Sequence, residues 1–354
     1  MSQQLPDFMQ TKYLTGIVRS GDIDTSYIGN RWFPFKDTPT DEFREWLQLD
    51  ENPLAPHVAI DSETPIIPAD MFNLVQGGIA YIRYKARFSE SDLRVFTEIP
   101  VYGGPTSLGN QMRVEGERKI MSKVEMLSNS VDARLEYLAL NALQGSIAYD
   151  SVSSNGNIQY TVAMGGTFHS SNRKTASPLW DGSSPLPVTD LIGWIGEVED
   201  LTGVAPTTMI CSPKTLRTLG QITGIRQLWG SLRSTGVTPA GLAATQVAGA
   251  LSLIGIDEVI VYKARYTTRT EAGSGVVTRT RTRFLPENRI LLVPSTPLGF
   301  MMTAPAAANN FSTGKFAWTK RQEDPWVVEV GAGIYAFPFM NNNQHKVLEA
   351  TVLA

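Results

Sequence analysis

With 354 residues, 42% of them apolar and 18% charged, the chain has material for a sizeable core, and disorder as its dominant state is excluded. The formal net charge of -3 calls for neither a polyanion nor an anionic membrane as partner, although local basic strips remain open. Cys211 is the single cysteine, which excludes an intramolecular disulfide framework and every multi-cysteine metal site.

The length predicts two or three domains that can be interleaved in sequence. Met1 to Gln10 is polar and lacks the basic start and apolar run of a signal peptide, which fits an intracellular place of synthesis. The first fifty or so residues read as an extended arm punctuated by Gly21, Gly29, Pro34 and Pro39, with weak alternation over Tyr13 to Arg19. Thr40 as cap, Asp41 and Glu42 in a first turn, and Phe43, Trp46 and Leu47 on one face predict a short helix near Asp41 to Gln48. Trp32, Phe33 and Phe35 precede it. They either lie across a neighbouring surface or pack onto the chain's own core, and the pattern does not choose between the two.

From His57 to about Asn110 the pattern is of strands. Over Ile79 to Phe88, Arg83, Lys85 and Arg87 alternate with Tyr84, Ala86 and Phe88, the period-two signature of a strand with one basic face. Asp92 to Ile99 is the predicted partner across a Ser89 to Ser91 turn.

The most regular stretch runs from Met112 to Gly145. Ile120, Val124, Leu127, Val131, Leu135, Leu138 and Ala142 recur at spacings of three and four, which is one face of a helix. Glu117, Arg118, Lys119, Lys123, Glu125, Asp132, Arg134 and Glu136 are expected on its solvated side, and Gly145 supplies a left-handed end. At about 1.5 Å per residue such a helix is a strut, long for a globular domain.

An Asn155-Gly156 hairpin is predicted across 146–163, then a loop over 165–187. From Val188 helices and strands alternate. Thr189 is read as the cap of a helix that Gly203 ends, Thr207 to Cys211 as a buried strand, and Ser212-Pro213 as the start of another helix. Gly220 to Thr238 reads as irregular, Leu242 to Leu253 as a helix, and Glu258 to Tyr266 as a strand paired with Val276 to Phe284. The remainder returns to strands at Arg289–Val293, Phe300–Thr303, Phe316–Thr319, Trp326–Val330 and Lys346–Val352, placed antiparallel and against the long helix. Prolines 294, 297 and 305 break the most apolar stretch, so no transmembrane helix is expected.

Catalytic signatures are near misses. Gly331, Gly333 and Ala336 match the spacing of a dinucleotide fingerprint, but Phe337-Pro338-Phe339 follows where a helix should open. Ser107 and Gly109 resemble half of a nucleophile elbow, with Pro105 in place of the first glycine. His57, His169 and His345 lack partners at ligand spacing, and Cys211 has no adjacent base to form a thiolate. No cofactor is expected. The alternation Arg279, Arg281, Arg283 with Arg265 nearby is the densest basic strip; it suits protein contacts or phosphates.

The order of these elements resembles the major capsid proteins of tailed bacteriophages, most of all the lambda-type capsid family with its Hong Kong 97-like fold. Local sequence is similar at Arg134-Leu-Glu-Tyr-Leu-Ala-Leu-Asn-Ala-Leu-Gln-Gly145, at Phe284-Leu-Pro-Glu-Asn288, and from Asp324-Pro325-Trp326 to Ala336-Phe-Pro338. The resemblance implies an α+β fold divided into an N-terminal arm over 1–55, an extended E-loop hairpin over 56–111, a P-domain with spine helix over 112–187, a central A-domain over 188–297, and P-domain strands over 298–354. It also implies a virion protein, made and assembled in the host cytoplasm, whose hexamers and pentamers close an icosahedral shell around double-stranded DNA contacted non-specifically. Scaffold, portal and decoration proteins would be further partners, and a membrane would not. On this reading Arg83, Lys85 and Arg87, with Trp32, Phe33 and Phe35, are candidates for contacts between subunits. An enzyme of unidentified class and a nucleic-acid-binding module are the alternatives.

Overall fold

The computed structural model describes residues 9–21, 24–48, 72–89, 91–92, 107–145, 172–232, 241–271, 277–323, 326–340 and 344–354. The arm opens with helix α1 (Thr11–Ser20), a short α2 (Gly29–Trp32) and strand β1 (Phe35–Asp37). It is therefore less extended than its glycines and prolines suggest. Leu14, Ile17 and Val18 share one helical face, and Leu14 and Val18 are fully buried. The predicted helix at Asp41 to Gln48 is instead strand β2 (Glu42–Gln48), laddered antiparallel to β3 (Phe72–Gly78) from Glu42↔Gly78 to Gln48↔Phe72. The Thr40 hydroxyl donates to the Glu42 carbonyl at 2.7 Å and caps nothing. A ladder to a distant segment has outweighed a weak local capping signal.

Strand β4 (Tyr81–Ser89) keeps the expected alternation, with Phe88 buried and Arg83, Lys85 and Arg87 exposed. Its expected partner beyond Asp92 lies outside the described residues, as does the hairpin predicted over 146–163. The spine helix α3 (Ser107–Leu143) has 37 residues, about 55 Å at its regular rise. All seven residues of the predicted stripe are buried, and so are Ala139, Leu140 and Leu143. Burial of each large side chain here stabilises by about 1.5–3 kcal/mol. Gly145 follows with φ of 69°, as a left-handed helix end requires.

The insert begins with β5 (Arg173–Thr175) and α4 (Pro187–Thr202), then β6 (Thr208–Cys211), α5 (Pro213–Gln221), α6 (Thr223–Leu232), α7 (Ala244–Leu251) and β7 (Glu258–Val261). Pro187 opens α4, so Thr189 lies inside the helix it was expected to cap; Gly203 ends it with φ of 67°. The Ser212 side chain caps α5 by accepting from the Thr215 N–H at 3.1 Å. Helix α6 occupies the stretch expected to be irregular. Ile225, Leu228 and Trp229 give it an apolar face, which outweighs Gly224 and Gly230.

The predicted long strand Glu258 to Tyr266 is two strands. β7 lies parallel to β6, while β8 (Arg265–Glu271) pairs antiparallel with β9 (Val277–Arg283). Tyr262 and Ala264, buried between them, turn the chain from one layer to the other.

The return strands are β10 (Arg289–Val293), β11 (Gly299–Thr303), β12 (Phe316–Glu323), β13 (Trp326–Met340) and β14 (Leu348–Thr351). One sheet has the order β1-β11-β13-β12 with β4 also on β13, and another has β5-β14-β10-β6-β7. Antiparallel pairing holds among β4, β11, β12 and β13, but β1, β5 and β7 join in parallel. The spine packs on β13 and β4, and α1 packs on β12. Thr15 Oγ1 accepts the N–H of Ala317, 302 positions later, and the hydroxyl of Thr319 donates to the Met9 carbonyl at 2.9 Å.

Candidate assembly surfaces and the spine junction

Three parts of the chain meet at Glu136 on α3. Its carboxylate accepts the N–H of Ile28 at 2.9 Å, the N–H of Gly29 at 2.8 Å and the hydroxyl of Tyr262 at 2.7 Å. Arm, spine and insert are thus tied by one side chain. One turn earlier, Asp132 pairs with Lys315, which leads into β12. Both carboxylates were expected on the solvated side, and both are buried. The reason is that α3 is apolar all round near its end, so polar residues there face protein on every side. Burial raises the pKa of Glu136, against the lowering effect of its three donors, and burial likewise raises that of Asp132 against Lys315. Tyr262 is also pushed up, first by burial and then by Glu136.

A second tie joins arm and insert. Arg31 grips Glu258 with two parallel bonds of 2.8 and 2.6 Å, and this holds the Glu258 carboxyl below its ordinary range. Next to it, the indole N–H of Trp32 donates to the Pro294 carbonyl at 2.9 Å. Trp32 and Phe33 are fully buried in the chain's own core, which corrects their place among surface contact candidates; Phe35, 44% exposed, keeps an outward face. Burial against the same chain wins because α2 seats both rings on the spine and β11.

The three basic residues of β4 have separate surroundings. Arg83 lies 4.9 Å from the Tyr335 ring centroid and within 6 Å of Tyr81, Phe316 and Trp318. Gly331 makes this cage possible, since a Cβ there would fall 2.2 Å from the Trp318 ring. The fingerprint-like glycines are mid-strand in β13, where they admit aromatic rings and no nucleotide turn. Lys85 reaches Glu329 at 3.0 Å and Arg87 reaches it at 3.6 Å, and Lys85 is the main cause that lowers its pKa. Both cations stay more than half exposed.

On β8–β9, Arg265 stands opposite Arg283, and Arg281 opposite Thr267. Arg283 pairs with Glu287 at 2.6 Å. This strip and the β4 face belong to different sheets. Cys211 is buried, which pushes its thiol up to about 12 and removes it as a nucleophile at neutral pH. Among the described residues no group of histidine, cysteine and carboxylates could hold a metal, and no helix is long and apolar enough to cross a membrane.

A family model described as phage major capsid protein E matches residues 14–338. Among solved structures, the fold is similar to that of a protein described as the capsid protein of a prophage from E. coli CFT073, with 17% identity, 98% of this chain and 99% of that chain covered, and a TM-score of 0.56. A phage-related protein from Bordetella bronchiseptica RB50 is similar at 11% identity, with 97% of each chain covered and a TM-score of 0.53. At these identities the likeness is one of fold. No curated protein sequence matches the chain.

Proposed function

The chain belongs to the phage major capsid protein E family, and from that premise we propose that its hexamers and pentamers close an icosahedral shell around packaged double-stranded DNA. Membership makes it a structural protein of the virion, with copies of itself as partners, and its fold is the Hong Kong 97-like one. The family match over residues 14–338 is the observation that carries the reading. Physically, a thin shell needs a rigid strut and many weak contacts repeated by symmetry. The spine supplies the strut, with arm and insert fastened to it at Glu136.

The same proposal divides the chain into arm, extended loop, P-domain and A-domain, with one change of emphasis. The projecting element is assigned to β2–β3 and the segment between them, because β4 is integrated beside β13. Lys85, Arg87 and Phe35 are proposed as contacts between subunits, and assembly is placed in the host cytoplasm with scaffold, portal and decoration proteins as further partners. Negative-stain electron microscopy of the purified protein tests the reading. Uniform closed shells or capsomer rings are expected, and a small discrete oligomer would overturn it.

A further inference from the structure

A groove of about 760 Å³ runs between the outward side of the spine and strand β8, a volume within the range of ligand-binding clefts. Met126, Ala133 and Tyr137 floor it on α3, on the side of the helix away from the buried Val124, Val131 and Leu138. Met126 is 55% exposed, a large apolar side chain turned to the surface. The facing wall is made of four residues in a row, Arg265, Tyr266, Thr267 and Thr268. Successive side chains of a strand point to opposite faces, so a wall of four consecutive residues is the edge of β8. Among the described residues its sheet has two strands, and no third strand lies along the edge of β8 away from β9. An edge of this kind presents backbone N–H and C=O groups outward.

The groove is also charged. Lys123, Arg134 and Arg265 border it, three cations against the one carboxylate of Glu125. Lys123 lies 4.6 Å from the ring centroid of Phe88 and Arg134 5.1 Å from that of Tyr137, while Arg265 is exposed.

We propose that this groove takes an extended acidic segment of a second protein, which adds to β8 as a third strand. Main-chain hydrogen bonds to the β8 edge supply affinity, and the flanking side chains supply specificity. In an added strand the side chains alternate. Those turned toward α3 meet Met126, Ala133 and Tyr137, and those turned away come beside Arg265. The surface therefore selects a segment in which acidic and small apolar residues alternate. Basic segments are repelled by the three cations, which keeps the edge from indiscriminate pairing. From Ser122 to Tyr137 the floor is about 22 Å long, room for about six or seven extended residues.

A peptide fits better than a nucleic acid. Phosphodiesters only accept hydrogen bonds, whereas a strand edge both donates and accepts. Tyr137 has Arg134 over its ring and Tyr266 edge-on at 5.4 Å, which engages the aromatic surface a base would need. The proposal is independent of the shell reading, because the groove lies within one copy.

The test uses the full chain as the unassembled subunit and a fluorescein-labelled peptide that alternates glutamate with valine. Saturable binding by fluorescence anisotropy is expected, together with slowed amide hydrogen exchange over Arg265 to Thr268. A peptide N-methylated at alternate amides keeps its charges but loses main-chain donors, and should bind about tenfold more weakly. R134Q/R265Q and, separately, M126E should each weaken binding about tenfold or more, with unchanged circular dichroism melts as proof of folding. Met126 is exposed, so M126E blocks the floor without touching the core. Absence of saturable binding to the unmodified subunit, as when another part of the chain covers the groove, would overturn the proposal. So would exchange protection that falls elsewhere. An N-methylated peptide that binds as tightly as its parent, and is displaced by oligodeoxythymidine, would assign the groove to polyanions and overturn strand addition.

Discussion

Gly29 has no room for a side chain beside Glu136: a Cβ at residue 29 would fall 2.6 Å from Oε2 of Glu136 and 2.6 Å from Cβ of Ala139. The same Oε2 accepts the Gly29 N–H at 2.8 Å, so the close approach and the hydrogen bond are one arrangement. Gly29→Ala should therefore cost about 1–3 kcal/mol by overpacking. Glu136→Ala should cost about 2–4 kcal/mol, since it leaves two backbone donors and the Tyr262 hydroxyl facing a cavity. Urea unfolding of the unassembled subunit measures both, and midpoints equal to wild type would show that the junction holds nothing.

The junction also sets a pH dependence whose sign is unusual for a carboxylate. With pKa values raised by burial, Glu136 and Asp132 bind protons more readily folded than unfolded. Their contribution to stability therefore falls as pH rises from the ordinary carboxylate range through the raised folded value. Glu258 and Glu329 act the other way: their lowered pKa values stabilise above the ordinary range, and that stability is lost as pH falls through the folded value. Relative to Glu136→Gln, the wild-type subunit should gain stability as pH is lowered toward the ordinary carboxylate range. Thermal melts of the two proteins from neutral to mildly acidic pH provide the check, and parallel curves would refute it.

Arg83 and its neighbours on β4 should separate folding from assembly. Arg83→Ala removes a cation from four rings and should cost about 1–2 kcal/mol in the isolated subunit. Lys85→Gln with Arg87→Gln should change subunit stability by less than about 1 kcal/mol, because both partners of Glu329 are largely exposed. The double variant should nonetheless form fewer shells. Equal shell yield would remove Lys85 and Arg87 from the contacts between subunits.

Leu135→Pro interrupts the spine within one turn of the Glu136 junction. It removes a backbone hydrogen bond and clashes with the preceding turn, a cost of about 3 kcal/mol or more, and should abolish shells. Shells of normal size from this variant would mean that α3 is not the strut.

Elements specified by their own residues were legible in the sequence. The α3 stripe, the β4 alternation, the Ser212 cap and the Gly203 and Gly145 ends all follow from local periodicity or local backbone chemistry. What escaped depends on distant partners. Nothing within Glu42–Gln48 announces a ladder to Phe72–Gly78, and nothing near Glu136 announces Ile28 or Tyr262. One signal was available: the run Leu138, Ala139, Leu140, Ala142, Leu143 leaves no solvated face, which predicts that nearby carboxylates are internal. The arginine row was readable as alternation, but its opposition of Arg265 to Arg283 needed the register.

The seating of α1 on β12 also governs the order in which the molecule can be completed. Helix α1 leaves the ribosome well before β12: the Ala317 amide that bonds Thr15 and the Lys315 carbonyl that receives Arg19 at 3.0 Å are made some 300 residues later. At about 5–20 residues per second, the nascent helix waits tens of seconds for its seat. A product terminated before Lys315 lacks the ion pair to Asp132 together with strands β12 and β13. Such a fragment has no β12 or β13 to close the core around α3, so α1 finds its seat only when the C-terminal strands have been made.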